Sequence, residues 1–513
     1  MSRLAELAPA LGLTPEAGPP GELRAVCASA SFTDLAARIA VDAHLSDLFA
    51  SVNPEGVVLT AVFSLAGDPD WLLLSTLLSG DRFPSLTPRV HAASWYEREI
   101  AEMYGLVPEH HPAPVRLRLH DWPEGMPPMR CRLAPGERAP RGERPEVVPE
   151  VRGQGVFQLP LGPVRSGPQE AAEFLFNSGG EDLVAVWPRL GYKLRLVERL
   201  AEGRPVEAVL ALAERLAGTS TFSNGLAFVQ AVERAAAVEV PPAARLARTL
   251  LNELERLHHH FGAVGRVADA TGLLVAAAQY AMLKEEVLRT CAALTGHRYS
   301  RGILAPGGLA APLAAEGMAE LAGRLPDWRR RAAGLGALLE DTATFMDRLE
   351  GTAVLEPGYA AQHDLVGPIG RSTGVDRDVR RDHPYAAYAE LAFEVPTDAR
   401  GDAEARVRVL LAEIGQSLGI VQQALDRAPA PSAVPPDAPL GAGSALGWAE
   451  APGGETLHFI ELDAGGRVRR WRARPPACVN WHPYAHACAS GNNLTDYPVI
   501  EASFALSHAE LDR

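Results

Sequence analysis

Residues 212–233 read LAERLAGTSTFSNGLAFVQAVE, and the chain is organised around them. On the N-terminal side, apolar residues at Val206, Val209, Leu210, Leu212 and Leu216 recur at helical spacing. On the C-terminal side, residues 226–238 continue as a second helix. Gly218, Thr219 and Ser220 interrupt the pattern between them, and the stretch holds no cysteine. Upstream the chain reads as a glycine-rich sheet region; downstream it is a long run of helices.

Composition bounds the rest. At 513 residues the chain exceeds one ordinary domain, and 47% apolar content supports a sizeable core. A net charge of −14 argues against nucleic acid as a main partner, because phosphate binding needs a basic footprint. Residues 1–13 lack the pattern of a secretory signal, and no run of about 18 apolar residues predicts a membrane span. The five cysteines (Cys27, Cys131, Cys291, Cys478 and Cys488) form no CxxC pair and no group of four. A thiolate-ligated iron–sulfur cluster usually takes four, so they read as buried or inert thiols in a reducing compartment.

Residues 1–130 are expected to form an α/β domain. EGVVLTAVFSL (55–65) and WLLLSTLLS (71–79) read as strands. SWYEREIAEMYGL (94–106) has Trp95, Ile100, Met103 and Leu106 at helical spacing. Glu97, Arg98, Glu99 and Glu102 fill its other positions, which by spacing alone predicts a solvated amphipathic helix. VRLRLHDWPEG (115–125) reads as a basic strand ended by Pro123. Six prolines between 126 and 153 predict an extended linker. The boundaries are residues 1–130, a linker over 131–156, and a second domain over 157–513.

That second domain is expected to be mainly helical, with small β-sheets near its N-terminus and in its C-terminal part, an α+β class. Residues 157–186 read as β structure around a tight turn at 162–167. A helix is expected from Arg189 to Arg204, and others over 243–267, 285–296, 318–350 and 402–424. Residues 429–440 read as a Pro/Ala-rich loop and 456–474 as a β-hairpin. The helix over 243–267 follows Pro241-Pro242 and carries Leu246, Leu250, Leu254, Leu257 and Phe261 in one stripe. His258, His259 and His260 lie on it. Neighbouring helical residues point about 100° apart, so three in a row share no face and read as a capped or surface cluster, not a metal site. GPIGRSTGVDRDVRRDHPYAAY (367–388) is so dense in Gly, Arg and Asp that it is expected at an interface or lining a cavity.

SWYEREIAEMYGL followed by RLRLHDWPEG resembles the signature of the C-type subunit of bacterial respiratory complex I. Residues 157–513 are similar to nickel–iron hydrogenase large subunits of the membrane-bound, formate-hydrogenlyase type, and to the D-type subunit of complex I, which shares that fold. GPVRSG, PRLGYKLRLVERLAEGR, LAERLAG, FSNGLAFVQAVE, NELERL, LTGHRYSRG, residues 367–388 and TDYPVIEASFALSHAELDR follow the family's order. The resemblance implies a subunit of a membrane-associated, complex-I-like NADH:quinone oxidoreductase or hydrogenase, peripheral on the cytoplasmic side. Its implied partners are an iron–sulfur subunit and antiporter-like and other integral membrane subunits. NAD and quinone binding are implied only at the level of the family.

An active nickel–iron centre takes four cysteine thiolates in two CxxC pairs, since soft sulfur holds low-valent nickel and bridges it to iron. In the family's register those positions are Ala217, Ser220, Ser507 and Glu510. No nickel–iron centre is therefore expected. Three residues follow Glu510, so no long segment for a maturing protease is expected there. For quinone, Arg165 stands at the family's His and Gly218 at its Tyr. Glycine has no donor, and a permanently charged Arg hydrogen-bonds a quinone oxygen without relaying a proton. Arg195 matches the family's Arg beside a neighbouring subunit's cluster, between Leu194 and Leu196 in place of the usual His and Gly. Three readings follow: a metal-free subunit of an electron-transfer complex, a structural or ion-coupling scaffold, and a hydrogenase with altered ligands.

Overall fold

The computed structural model describes residues 2–131, 137, 139–140, 142, 151–165, 170–427 and 440–513. The Pro-rich linker lies largely outside these residues, as do most of the 429–440 loop and part of the 162–167 turn.

The first part runs α1 (Arg3–Ala10), β1 (Glu16–Ala17), β2 (Glu22–Val26), α2 (Ser29–Ile39), β3 (His44–Asn53), β4 (Gly56–Ser64) and β5 (Trp71–Leu77). The strands form one sheet in the order β1-β2-β5-β4-β3, with only β2 and β5 parallel. Then come β6 (Arg82–Pro84), α3 (Ala93–Tyr104) and β7 (Val107–Glu109). The unbroken apolar run at Trp71–Leu74 has a physical reason: both faces of the sheet are covered. Side chains alternate along a strand. Trp71 and Leu73 enter a core shared with the helices of the second part, while Leu72 and Leu74 enter a core shared with residues of α2 and α3.

The acidic face of α3 is not solvated, contrary to the reading from spacing. Glu97 is fully buried and accepts from Ser85 Oγ (2.5 Å), Leu86 N–H (2.6 Å) and Thr87 Oγ1 (2.6 Å). Glu99 faces Arg118 (2.9 Å), Arg472 (2.7 Å) and Arg513 (2.7 Å). Glu102 accepts the N–H groups of Leu117, Arg118 and Leu119 at 3.0–3.2 Å. A carboxylate takes the donors that a strand ladder would have used, so residues 115–125 wrap over α3 and form no strand.

The second part opens with an antiparallel sheet of β8 (Val156–Leu161), β9 (Glu173–Gly179) and β10 (Asp182–Arg189). The helix expected from Arg189 is only α4 (Val197–Ala201). Arg189 belongs to β10, and Gly191 (φ 86°) and Leu196 (φ 52°) take left-handed backbone that interrupts a helix. Next are β11 (Arg204–Pro205), α5 (Val206–Ala213), α6 (Thr221–Ala235), α7 (Pro242–Ala270), α8 (Leu274–Thr295), β12 (Leu304–Ala305), β13 (Gly308–Leu309), α9 (Ala315–Glu340) and α10 (Ala343–Leu349). Then come α11 (Pro357–Gln362), α12 (Gly367–Arg371), α13 (Val379–Asp382), α14 (Ala403–Asp426), β14 (Gly443–Ala451), β15 (Gly454–Leu462), β16 (Arg467–Arg474), α15 (Ala477–Asn480), α16 (Tyr484–Ala489) and α17 (Tyr497–Phe504). Helix α7 is central, packed by α8, α14 and α17. Its expected stripe is buried at Leu250, Leu254, Leu257 and Phe261. The expected hairpin is β15–β16, inside an antiparallel sheet ordered β11-β16-β15-β14. Helix α6 lies directly on β14: a Cβ on Gly447 would sit 2.1 Å from Ala227 O, so only glycine permits the contact.

The 367–388 stretch is largely buried, and its charges find partners inside the chain. Arg371 pairs with Glu413 (2.8 Å) and Glu450 (2.9 Å), and Arg380 with Asp378 (2.7 Å) and Glu253 (3.1 Å). Arg377 pairs with Glu455 and donates to Ser64 Oγ (2.6 Å) on the first sheet. These ion pairs are therefore no argument for a partner subunit. No helix among the described residues is long and apolar enough to cross a membrane.

Arg472 of β16 spans the two parts, meeting Asp47 (2.8 Å) as well as Glu99. Arg472→Met strands a buried carboxylate at Asp47. It is expected to cost about 3–5 kcal/mol, read as a lower midpoint of one cooperative denaturant transition. Two separate transitions would contradict the shared cores.

Candidate functional site

The loop between α5 and α6 and the segment 505–513 are brought side by side, and Arg195 joins them. Its guanidinium donates to the carbonyls of Arg215 (2.6 Å), Leu216 (2.9 Å), Ala509 (2.7 Å) and Asp512 (3.0 Å). Four charge-assisted hydrogen bonds from one side chain make a stiff clamp. Arg195 thus holds together the two segments that carry Ala217, Ser220, Ser507 and Glu510.

Ser220 and Glu510 meet. Ser220 Oγ donates to Glu510 Oε1, and Ala477 N–H donates to Oε2 (3.3 Å). Asn224 Nδ2 donates back to Ser220 Oγ (3.1 Å). Ser507 Oγ lies 3.4 Å from both Glu510 N and Glu170 Oε2, and Glu170 also accepts from Ala509 N–H (2.6 Å). Ala217 is buried beside them and offers no donor atom. Ser220, Ser507, Glu510 and His259 line a cavity of about 30 Å³, room for a water or two.

This donor set does not fit a nickel–iron centre. One position is an alanine, and the two hydroxyls keep their protons in hydrogen bonds. The one carboxylate of the four is already bonded to Ser220 and Ala477. Cys478 and Cys488 supply no substitute: both are buried and free, and burial pushes their thiols up, away from the thiolate form that binds metal.

Sequence reasoning missed several groups around this pocket. Glu255 of α7 accepts from Phe222 N–H (2.5 Å), Ser223 N–H (2.9 Å) and Ser223 Oγ (2.6 Å), capping the first turn of α6. The three histidines of α7 are buried, not at the surface, because α7 is enclosed on every face over residues 247–261. They do point apart: His258 packs edge-on against Tyr299, His259 faces the cavity, and His260 reaches Glu413. Glu413 accepts from His260 Nε2 (2.8 Å), so Nδ1 of that neutral ring accepts from His259 Nδ1–H (3.1 Å). A hydrogen-bonded line thus runs from Glu413 to the cavity wall. No spacing rule signals it, since Glu413 lies on α14.

Arg165 and Gly218 stand apart from this line. Arg165 pairs with Glu501 (2.5 Å) and lies over the ring of Phe174 (5.2 Å). Its Nε and Nη2 are buried with no hydrogen-bond partner among the described residues. Gly218 is exposed, and a Cβ there would meet open space.

Burial pushes the Glu510 carboxyl up to about 7 against the bonds from Ser220 and Ala477, and pushes Glu255 up to about 7 as well. A raised carboxyl favours the folded state fully below its unfolded pKa and loses that contribution as pH rises through the folded value. Between pH 4.5 and 7, Glu510 therefore removes stability, on the order of 3 kcal/mol. Glu510→Gln is expected to flatten this slope in melting temperatures measured across that range. It should also remove a protonated-carboxyl infrared band that titrates near neutrality. An unchanged slope and band would contradict the assignment.

Comparison with known proteins places these features. Residues 24–137 match the family model for the 30 Kd subunit of respiratory-chain NADH dehydrogenase, and residues 270–439 that for its 49 Kd subunit. Residues 195–262, which include Ala217 and Ser220, match the nickel-dependent hydrogenase model. Formate hydrogenlyase subunit 5 of Escherichia coli is 31% identical, over 87% of this chain and 80% of its own length. Hydrogenase-4 component G of Escherichia coli is 31% identical, over 90% and 82%. NADH-quinone oxidoreductase subunit 4 of Thermus thermophilus is 29% identical, over 74% and 98%. The chain belongs to the family of large subunits that the formate-hydrogenlyase-type hydrogenases share with the 30 Kd and 49 Kd subunits of respiratory NADH dehydrogenase.

Proposed function

We propose that this chain is a metal-free subunit of a membrane-associated, complex-I-like electron-transfer assembly, in which the pocket that would hold metal binds a proton instead. The observation that carries this reading is the buried Ser220–Glu510 hydrogen bond, formed by two of the four residues at the ligand positions. It occupies the carboxylate and hydroxyl that a metal would need. The line from Glu413 through His260 and His259 supports a proton-handling pocket, because each link can pass a hydrogen bond.

The partners proposed are an iron–sulfur subunit and antiporter-like integral membrane subunits, with this chain peripheral on the cytoplasmic side. The Arg195 side, where segments 215–216 and 509–512 meet, is the face proposed to meet the iron–sulfur subunit. Residues 1–130 and 157–513 are proposed to act there as one body, since they share both cores.

Two observations separate the redox reading from the scaffold reading. The partnerless Nε and Nη2 of Arg165 and the open space at Gly218, both among the described residues, support contact with a quinone head group. A cavity with room only for water supports a proton- or ion-coupling scaffold. The purified native assembly is expected to contain far less than one nickel per chain by elemental analysis; stoichiometric nickel would overturn the metal-free reading. A quinone analogue that binds the assembly, and binds at least tenfold more weakly with Arg165→Ala, would favour the redox role. No binding would favour the scaffold.

A further inference from the structure

A second cluster lies outside the emptied pocket. His91 stands in the loop before α3, His363 caps the C-terminus of α11, and His482 lies between α15 and α16. These positions are far apart in sequence, yet one ring nitrogen from each lies within 4.8 Å of the others. The rings meet at centroid distances of 4.6 Å (His91–His363), 5.0 Å (His91–His482) and 4.5 Å (His363–His482).

The protonation pattern at His363 is set by its surroundings. Its Nδ1 lies 2.8 Å from the carbonyl of Tyr359, which can only accept, so Nδ1 carries the hydrogen. Nε2 is left with its lone pair, buried and without a hydrogen-bond partner among the described residues, on a residue only 2% exposed. Leaving such an acceptor unsatisfied is costly, and a ligand at that point removes the cost. A ring oriented by a backbone carbonyl on one nitrogen with the other nitrogen free is also the usual arrangement of a metal-binding histidine. His91 is exposed, so the cluster opens to solvent on one side and its ring is free to adjust. Ligand nitrogens about 2.0–2.1 Å from a tetrahedral ion stand closer together than the limit seen here. Binding therefore needs a small inward movement, which His91 can supply.

We propose that His91, His363 and His482 form a binding site for one divalent transition-metal ion of the zinc class, with three imidazole ligands and a fourth position open to solvent. Three neutral nitrogen donors with no carboxylate among them select such a cation over magnesium or calcium, which take oxygen. Because His91 belongs to residues 1–130 and the other two to residues 157–513, the ion also clips the two parts together. The site is independent of the Ser220–Glu510 pocket and of its proposed role.

The test uses the full chain without a polyhistidine tag, stripped with a chelator and then titrated with Zn²⁺. One ion per chain is expected at micromolar concentration or below, with a rise in melting temperature. Co²⁺ should give the visible absorption of a low-coordinate nitrogen site. His91→Ala, at an exposed position, should fold normally, weaken Zn²⁺ binding at least tenfold and abolish the cobalt spectrum. His482→Gln should do the same. His486→Gln should leave binding intact: that residue stacks on Tyr359 at 4.0 Å but lies outside the ligand set. Absence of stoichiometric zinc, or zinc binding that survives His91→Ala unchanged, would overturn the proposal.

Discussion

Glu99 is the residue on which the arrangement of this molecule turns. Burial alone would push its carboxyl up, but the guanidinium groups of Arg118, Arg472 and Arg513 outweigh that and hold it well below the usual carboxylate range. Buried charges are tolerated only when they are paired with good geometry. One carboxylate on α3 thereby ties the first part of the chain to the C-terminal sheet and to the segment that ends at Arg513. Arg513 also donates to Ala473 O, so that segment is held from two directions. Glu510, three residues earlier, is carried into the pocket as a consequence.

The frame of the pocket rests on hydrogen bonds within the chain. The clamp from Arg195 to four carbonyls holds segments 215–216 and 509–512 at close range. Thiolates at the four positions would have bound a cation. A hydroxyl and a carboxyl instead satisfy each other, and burial favours the proton that neutralises the carboxyl. Asp512, raised to about 6 by burial against the pull of Arg195, extends the same condition along the segment. The result is a group of carboxyls poised near neutrality in one corner of the fold.

Local pattern was readable where one physical rule dominates. The strands at 55–65 and 71–79, the long α7 with its leucine stripe, and the β15–β16 hairpin follow from apolar periodicity and turn residues. It was misleading where a charge is buried. Glu97 and Glu99 look like solvent-facing residues in one dimension, because their partners lie in other elements, and the arginines of 367–388, expected at an interface or a cavity, find their partners inside the chain. The same limit explains His258–His260. Helical geometry correctly separates three adjacent side chains, but it is silent on what encloses them. The expected strand at 115–125 failed because Glu102 claims its backbone donors, a contact no spacing rule contains.

By itself the sequence determined that the chain is an α+β protein of this family and that no cysteine stands at 217, 220, 507 or 510, because these are matters of residue type and order. It also determined that no soft donors are present there. Only the tertiary structure decided that Ser220 and Glu510 touch, that Arg195 is spent on backbone carbonyls, and that three distant histidines share one corner. Those are distances, and they depend on how α3, β16 and the final segment pack around a buried carboxylate.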